Sequence, residues 1–293
     1  MTGRRAGNHE TTETTETTMS RHTPTLGAVQ ETLLIPLYGR AVEHAKPEPA
    51  LRDPRARELV AGIDYDFSRF DALPSLTGSV LRTVLFDSWT RDFLDRHPAG
   101  TVVELGTGLN TRYERVDNGR AHWIDLDLPD AIALRRAFFT DTERRRMLAA
   151  SLTDEDWPDA VAEQSCGPRF FSAEAVLPFL DEADVRGVIE RIAARFPGSW
   201  LALDTNSPRL VEAQDRHDAL SKVEARLRWG CADIGVVADW VPGSRVVGSH
   251  TMTTLPRDVH EKLPPPHRRM LADLTRRQLP EVEEYRMHLV HLA

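Results

Sequence analysis

The chain has 293 residues, 41% of them hydrophobic and 28% charged, which suits one domain with a helical elaboration better than two independent domains. A formal net charge of -8 offers no attraction to a phosphate backbone and argues against a nucleic-acid partner. No run of about 18 apolar residues is present for a membrane span, the N-terminus lacks a signal-peptide core, and the expected location is cytoplasmic.

Residues 1–25 are rich in Thr, Glu, Arg and Gly with almost nothing apolar, so a disordered tail is expected there, followed by a single domain over 26–293. Leu33, Leu34, Leu37, Ala41 and Val42 recur at helical spacing. Asp53 before Pro54 is a helix-start signal, and a longer helix is expected from about Gly78 to Arg96. Residues 26–98 therefore read as a helical cover. From Thr101 short apolar runs alternate with helical stretches, the pattern of a mostly parallel sheet with crossover helices. Strands are expected at Thr101–Leu105, His122–Leu126, Arg169–Ser172 and Ser199–Asp204, and helices at Ala131–Phe139, Glu143–Ala149 and Glu182–Phe196. An insert over about 207–243, carrying a polar helix at Pro208–Leu227, precedes strands near Ser244–Met252 and Tyr285–Leu292. Cys166 and Cys231 lie in unrelated contexts and read as buried or incidental thiols; no metal site is expected.

The most informative segment is VVELGTGLNTR, residues 102–112. Glu104 ends an apolar strand, and Gly106 and Gly108 let the backbone approach a ligand at the carboxyl edge where open α/β sheets bind nucleotides. A third glycine of the dinucleotide fingerprint would fall at Thr111, so a pyrophosphate lacks its close-packing position; that disfavours NAD or FAD and leaves an adenosyl ligand without phosphates. Asp127 follows Gly106 by 21 positions, where an acid can accept from both ribose hydroxyls. Asp125, two residues earlier, faces the same side of a strand, so either acid is a ribose candidate. The competing reading makes Asp127 a cap for the helix opening at Pro129.

Together with this turn, the runs TLLIPLYGRA (32–41), LRDPRA (51–56), DLP (127–129) and AEAVLPF (173–179) resemble the leucine carboxyl methyltransferase family, nearest to its bacterial branch of tetracenomycin-type polyketide carboxyl O-methyltransferases. The resemblance implies a class I S-adenosylmethionine-dependent methyltransferase: a Rossmann-like, mostly parallel seven-stranded sheet with an N-terminal helical cover. It also implies site residues. Arg82 matches an arginine that clamps the carboxylate of the cofactor's methionine portion, and Arg40 a basic position that contacts the cofactor. Gly106 and Gly108 would line the methionine portion, and Asp127 the ribose. Ser151-Leu152 stands where many members have Asp-Leu beside the adenine. Glu174 matches an acid near the cofactor's amino group, and Ala175 replaces the more usual Gly or Cys. Against these stand plainer readings: Arg40 and Arg82 as solvated charges, Glu174 as a helix cap, and Tyr38 and Trp240 as core aromatics rather than a substrate lining.

Transfer of a sulfonium methyl needs an oxygen nucleophile held in line. A carboxylate is already ionised at neutral pH, whereas a phenol or alcohol needs a base. The sequence holds no base motif, since His44, His122, His250 and His260 are scattered singly. No catalytic residue is assigned. The expected reaction is O-methylation of a small-molecule or peptide carboxylate to a methyl ester. The alternatives are methylation of a phenolic or alcoholic hydroxyl, and a cofactor-binding partner without turnover.

Overall fold

The computed structural model describes residues 21–293. Its centre is a seven-stranded sheet made of β1 (Thr101–Leu105), β2 (His122–Asp127), β3 (Arg145–Ala149), β4 (Arg169–Ala173), β5 (Trp200–Asn206), β6 (Arg245–His250) and β7 (Tyr285–His291). The order across the sheet is β3-β2-β1-β4-β5-β7-β6. The first five strands run parallel, and β7 enters antiparallel between β5 and β6. Strand order reverses beside β1, between its neighbours β2 and β4, which is where a crevice opens at the carboxyl edge of such sheets.

Alternation along the strands gives the sheet two unlike faces. Val103, Leu105, Ile124, Leu126, Phe171, Leu201 and Leu203 form one core with the helix Glu182–Arg195. On the other face Val102, Trp123, Phe170 and Ala202 pack under the long helix Pro74–Arg96, which contributes Leu81, Leu85, Phe86, Trp89 and Phe93. A third core lies in the cover, where the helix Leu34–His44 meets Leu59, Phe67 and Phe70 and reaches Ile132 and Leu134 beyond the glycine turn. The helix Pro54–Gly62 starts as its sequence suggests, with Asp53 accepting from the Ala56 amide and Pro54 in the first turn.

Three expectations are corrected. Residues expected as a helix at Glu143–Ala149 form β3 instead: Arg145, Arg146, Met147 and Leu148 suit a helix by propensity, but pairing with β2 from Trp123 to Asp127 decides the outcome. The expected helix Pro208–Leu227 is broken into a turn of helix at Pro208–Glu212 and short 3-10 turns at Gln214–Arg216 and Leu220–Lys222. Local side-chain bonds stop it, because His217 Nδ1 accepts from the Ala219 and Leu220 amides and Gln214 bonds the backbone of Leu227. The expected tail runs too far, since the His22 backbone pairs with Gly62 and Asp64; residues 1–20 lie outside the described residues.

Among the described residues, no helix is long and apolar enough to cross a membrane, and no cluster of three or more His, Cys, Asp or Glu is arranged to hold a metal ion. Cys231 is a buried free thiol, and Cys166 is an exposed one.

Candidate active site

The β1 turn takes the backbone through the left-handed region twice, with φ of 60° at Gly106 and 47° at Gly108, which explains glycine at both positions. A Cβ at 106 would come within 2.5 Å of Val176 Cγ2, and one at 108 within 2.9 Å of Leu33 Cβ. The turn is therefore roofed by one residue from the β4 loop and one from the cover.

Asp127 ends β2 directly beside this turn. Its Oδ2 accepts the Gly108 amide at 2.6 Å and its Oδ1 the Leu128 amide at 2.7 Å. The helix Pro129–Arg136 has Leu128 as its N-cap with no side-chain cap bond, so capping is not the task of Asp127. Burial raises its pKa from the ordinary aspartate value, against the lowering effect of those two amides. Asp125 is placed differently. It is buried, and its Oδ2 accepts Arg135 Nη2 at 2.9 Å and Arg145 Nε at 2.7 Å. Its lowered pKa reflects Arg135 and Arg145 overcoming the cost of burial. Of the two acids offered as ribose candidates, Asp125 is thus held by Arg135 and Arg145, whereas Asp127 lies against the glycine turn.

At the end of β4, Glu174 meets Arg82 from the long helix: Arg82 Nε donates to Glu174 Oε1 at 2.9 Å, and Thr83 Oγ1 donates to the same oxygen at 2.7 Å. Glu174 Oε2 is bound by Arg112 Nη2. Burial would raise the Glu174 pKa, but Arg82 and Arg112 hold it down to about 2. None of its partners is a helix N-terminus, so the capping reading is set aside. Arg82 is buried and not a solvated charge.

Arg40 is also buried. Its Nε donates to Asp53 at 3.0 Å and its Nη2 to the Leu109 carbonyl at 2.8 Å, so it ties the cover to the glycine turn. Glu104 is buried and bound by Arg112, whose Nη1 donates to both its oxygens, at 2.7 and 2.6 Å. Ser151 and Leu152 follow β3 at the end of β2, the Ser151 amide donating to Asp154 Oδ2 at 3.2 Å. Tyr38 and Trp240 do not share a pocket. Tyr38 stacks on Phe67 in the cover and donates to Asp71, whereas Trp240 packs beside Trp229 in the core on the opposite face of the sheet.

The residue that sequence reasoning left without a role is Arg112. It has no exposed side-chain surface and pairs with Asp87 at 2.8 Å, with Glu104 at 2.6 Å and with Glu174. Arg115 extends the network to Asp53 and Asp87. Arg112 sits within the glycine-turn motif, and its place there was the available signal; Asp87, one of many polar residues on the helix Pro74–Arg96, gave none.

The matching family model is that of leucine carboxyl methyltransferase, aligned over residues 34–193. The chain belongs to the leucine carboxyl methyltransferase family. It is an S-adenosylmethionine-dependent methyltransferase: the curated relatives are methyltransferases by name, several of them S-adenosyl-L-methionine-dependent. It is 34% identical to the tetracenomycin polyketide synthesis O-methyltransferase TcmP of Streptomyces glaucescens, over 79% of this chain and 86% of that one. It is 29% identical to the S-adenosyl-L-methionine-dependent methyltransferase dpfgK of Gibberella zeae, over 62% of this chain and 66% of that one. In fold it is similar to a putative methyltransferase from Thermobifida fusca YX, with a TM-score of 0.55 and 16% identity over 92% of this chain and 95% of that chain. The family match covers the cover helices, the glycine turn and the Glu174 segment together.

Proposed function

We propose that this family member is an O-methyltransferase that converts a small-molecule carboxylic acid, of the polyketide-like kind, to its methyl ester in the cytoplasm. The observation that carries the choice of acceptor is that the titratable groups at the carboxyl edge are committed to protein partners. Glu174 is held by Arg82, Thr83 and Arg112, Asp204 accepts from Ala175 and Tyr285, and Asp127 accepts from two amides. The buried phenol of Tyr285 has its pKa pushed well above 10 and keeps its proton. His288 bonds Thr205 through Nε2 alone, its Nδ1 being buried without a partner, and burial lowers its pKa to about 4, which makes it a weak base. A phenol or alcohol would need one of these as a base; a carboxylate needs none.

The donor set fits S-adenosylmethionine. Asp127 keeps a second lone pair on each oxygen for a ribose diol, Arg82 suits the methionine carboxylate, and Glu174 suits the ammonium. Gly106 and Gly108 allow close approach of the backbone between them. Arg40 holds the turn from the cover, and Ser151 and Leu152 border the position assigned to the adenine. The cofactor supplies a methyl group already activated by its sulfonium. The protein's part is then to bind, to align the acceptor oxygen and to exclude water, with the Leu33 and Val176 side chains withdrawing from the turn to admit the ligand. Tyr38, in the cover, is the better placed of the two aromatic candidates for the acceptor side, since Trp240 lies across the sheet.

The test is methyl transfer from radiolabelled S-adenosylmethionine to a panel of aromatic acids, matched phenols and C-terminal leucine peptides, followed by mild alkali. Label released as methanol from the small acids supports the proposal. Alkali-stable label on the phenols, or label confined to the peptides, overturns it.

A further inference from the structure

Asp204, at the carboxyl end of β5, is buried and has both oxygens engaged. Its Oδ1 accepts the Ala175 amide at 2.6 Å, and its Oδ2 accepts the Tyr285 hydroxyl at 2.7 Å. Tyr285 opens β7 and pairs with Asn206 across the antiparallel ladder, which brings a residue from the last strand to the end of β5. Its oxygen accepts Arg82 Nη1 at 3.1 Å. Because the single phenolic proton goes to Asp204, only a lone pair is left to face the guanidinium. The direction of the chain of bonds is thus fixed, from Arg82 to Tyr285 to Asp204.

The same aspartate acts on Glu174 by another route. Ala175 has φ of 57°, a conformation that a residue with a Cβ adopts only when its surroundings hold it, and its amide is anchored on Asp204. Glu174 is the residue immediately before. Asp204 therefore fixes Arg82 through Tyr285 and Glu174 through the Ala175 backbone, the two side chains assigned above to the amino-acid end of the cofactor.

We propose that Tyr285 and Asp204 are positioning residues for the methionine end of S-adenosylmethionine, Tyr285 setting the plane of the Arg82 guanidinium and Asp204 orienting both Arg82 and Glu174. The inference rests on the assignment of Arg82 to the methionine carboxylate. Tyr285 is not a base in this scheme, since its proton is committed and its pKa is raised by burial. Nor does it belong to the motifs that carry the family resemblance; it lies 203 positions from Arg82.

The experiment is isothermal titration of the full-length protein with two ligands: S-adenosylhomocysteine, and 5′-methylthioadenosine, which lacks the amino and carboxylate groups. Tyr285→Phe keeps the ring and removes the hydroxyl that accepts from Arg82 and donates to Asp204. It is expected to weaken S-adenosylhomocysteine about tenfold, the worth of a hydrogen bond to a charged group, with 5′-methylthioadenosine changed less than about twofold. Asp204→Asn should show the same selective loss, and thermal melting of each variant establishes that it is folded. Equal weakening of both ligands, or no weakening of either, overturns the proposal. Arg82→Ala separates this from the reading beneath it. If Arg82→Ala selectively loses S-adenosylhomocysteine and Tyr285→Phe does not, the positioning proposal alone fails. If Arg82→Ala leaves the ratio of the two affinities as in the wild type, the Arg82 assignment fails and the proposal falls with it.

Discussion

The two faces of the sheet are built from the same strands and differ in kind. Under the helix Glu182–Arg195 the inward residues stay apolar through the middle and into the carboxyl half of the central strands, from Val103, Ile124, Phe171 and Leu201 to Leu105, Leu126 and Leu203. Under the helix Pro74–Arg96 the face is graded. A first row of Val102, Trp123 and Phe170 is apolar; the next, two residues further along, is Glu104, Asp125 and Ser172; the last is Gly106, Asp127 and Glu174. The contrast teaches that this protein uses one face for cohesion and spends the carboxyl half of the other on a buried array of charges. Such an array adds little net stability by itself. Its use is to hold Glu174, Arg82 and the glycine turn in fixed relation.

The largest effect that would sharpen this comparison is expected from Arg112→Ala. It leaves Glu104 in the interior without its cation and takes one of the guanidiniums from Asp87 and from Glu174, and urea unfolding should record a loss of about 3–5 kcal/mol. A loss below about 1 kcal/mol would mean that water already screens the array, and the contrast between the faces would dissolve. On the apolar face, Ile189→Ala should cost about 3 kcal/mol by the same measurement, with the affinity of the folded protein for S-adenosylhomocysteine unchanged. A change in that affinity would join the two faces functionally.

Asp127→Asn should weaken S-adenosylhomocysteine by about 2 kcal/mol, roughly 30-fold, and lower stability by about 1 kcal/mol, because one of the two amides that Asp127 accepts loses its acceptor. Its pH dependence has a definite sign. Burial raises the Asp127 pKa above the aspartate value, so a carboxylate acceptor is fully available above the raised value and is lost as pH falls through it. Wild-type affinity should therefore decline on acidification, and that part of the decline should vanish in Asp127→Asn. For stability the sign is opposite: a carboxyl with a raised folded pKa contributes stability that is fully present below its unfolded value and lost as pH rises through the folded one. The smallest effect is expected at Val247, exposed on β6, where Val247→Thr should shift stability by less than about 0.5 kcal/mol.

Local signals in the sequence carried far. The apolar run into Gly106 and Gly108, the acid closing β2, and the Asp53-Pro54 start each depend on neighbours in the chain, and each stands in the structure where local chemistry puts it. What failed depended on distant partners. Arg145–Ala149 becomes a strand only because β2 offers a ladder. Asp125 and Asp127 are equivalent by spacing, and only the arrival of Arg135 and Arg145 separates them. Tyr38 and Trp240 are alike as exposed-or-core aromatics until the sheet comes between them. The pairing of Tyr285 with Asp204, 81 positions apart, left no trace in spacing or periodicity.

The most direct test of the account is a crystal structure of the protein with S-adenosylhomocysteine. The account predicts the ribose hydroxyls within hydrogen-bond distance of Asp127, the methionine carboxylate on Arg82, and Asp125 still closed off by Arg135 and Arg145. A ribose bound at Asp125, or a ligand seated away from the Gly106 turn, would contradict it.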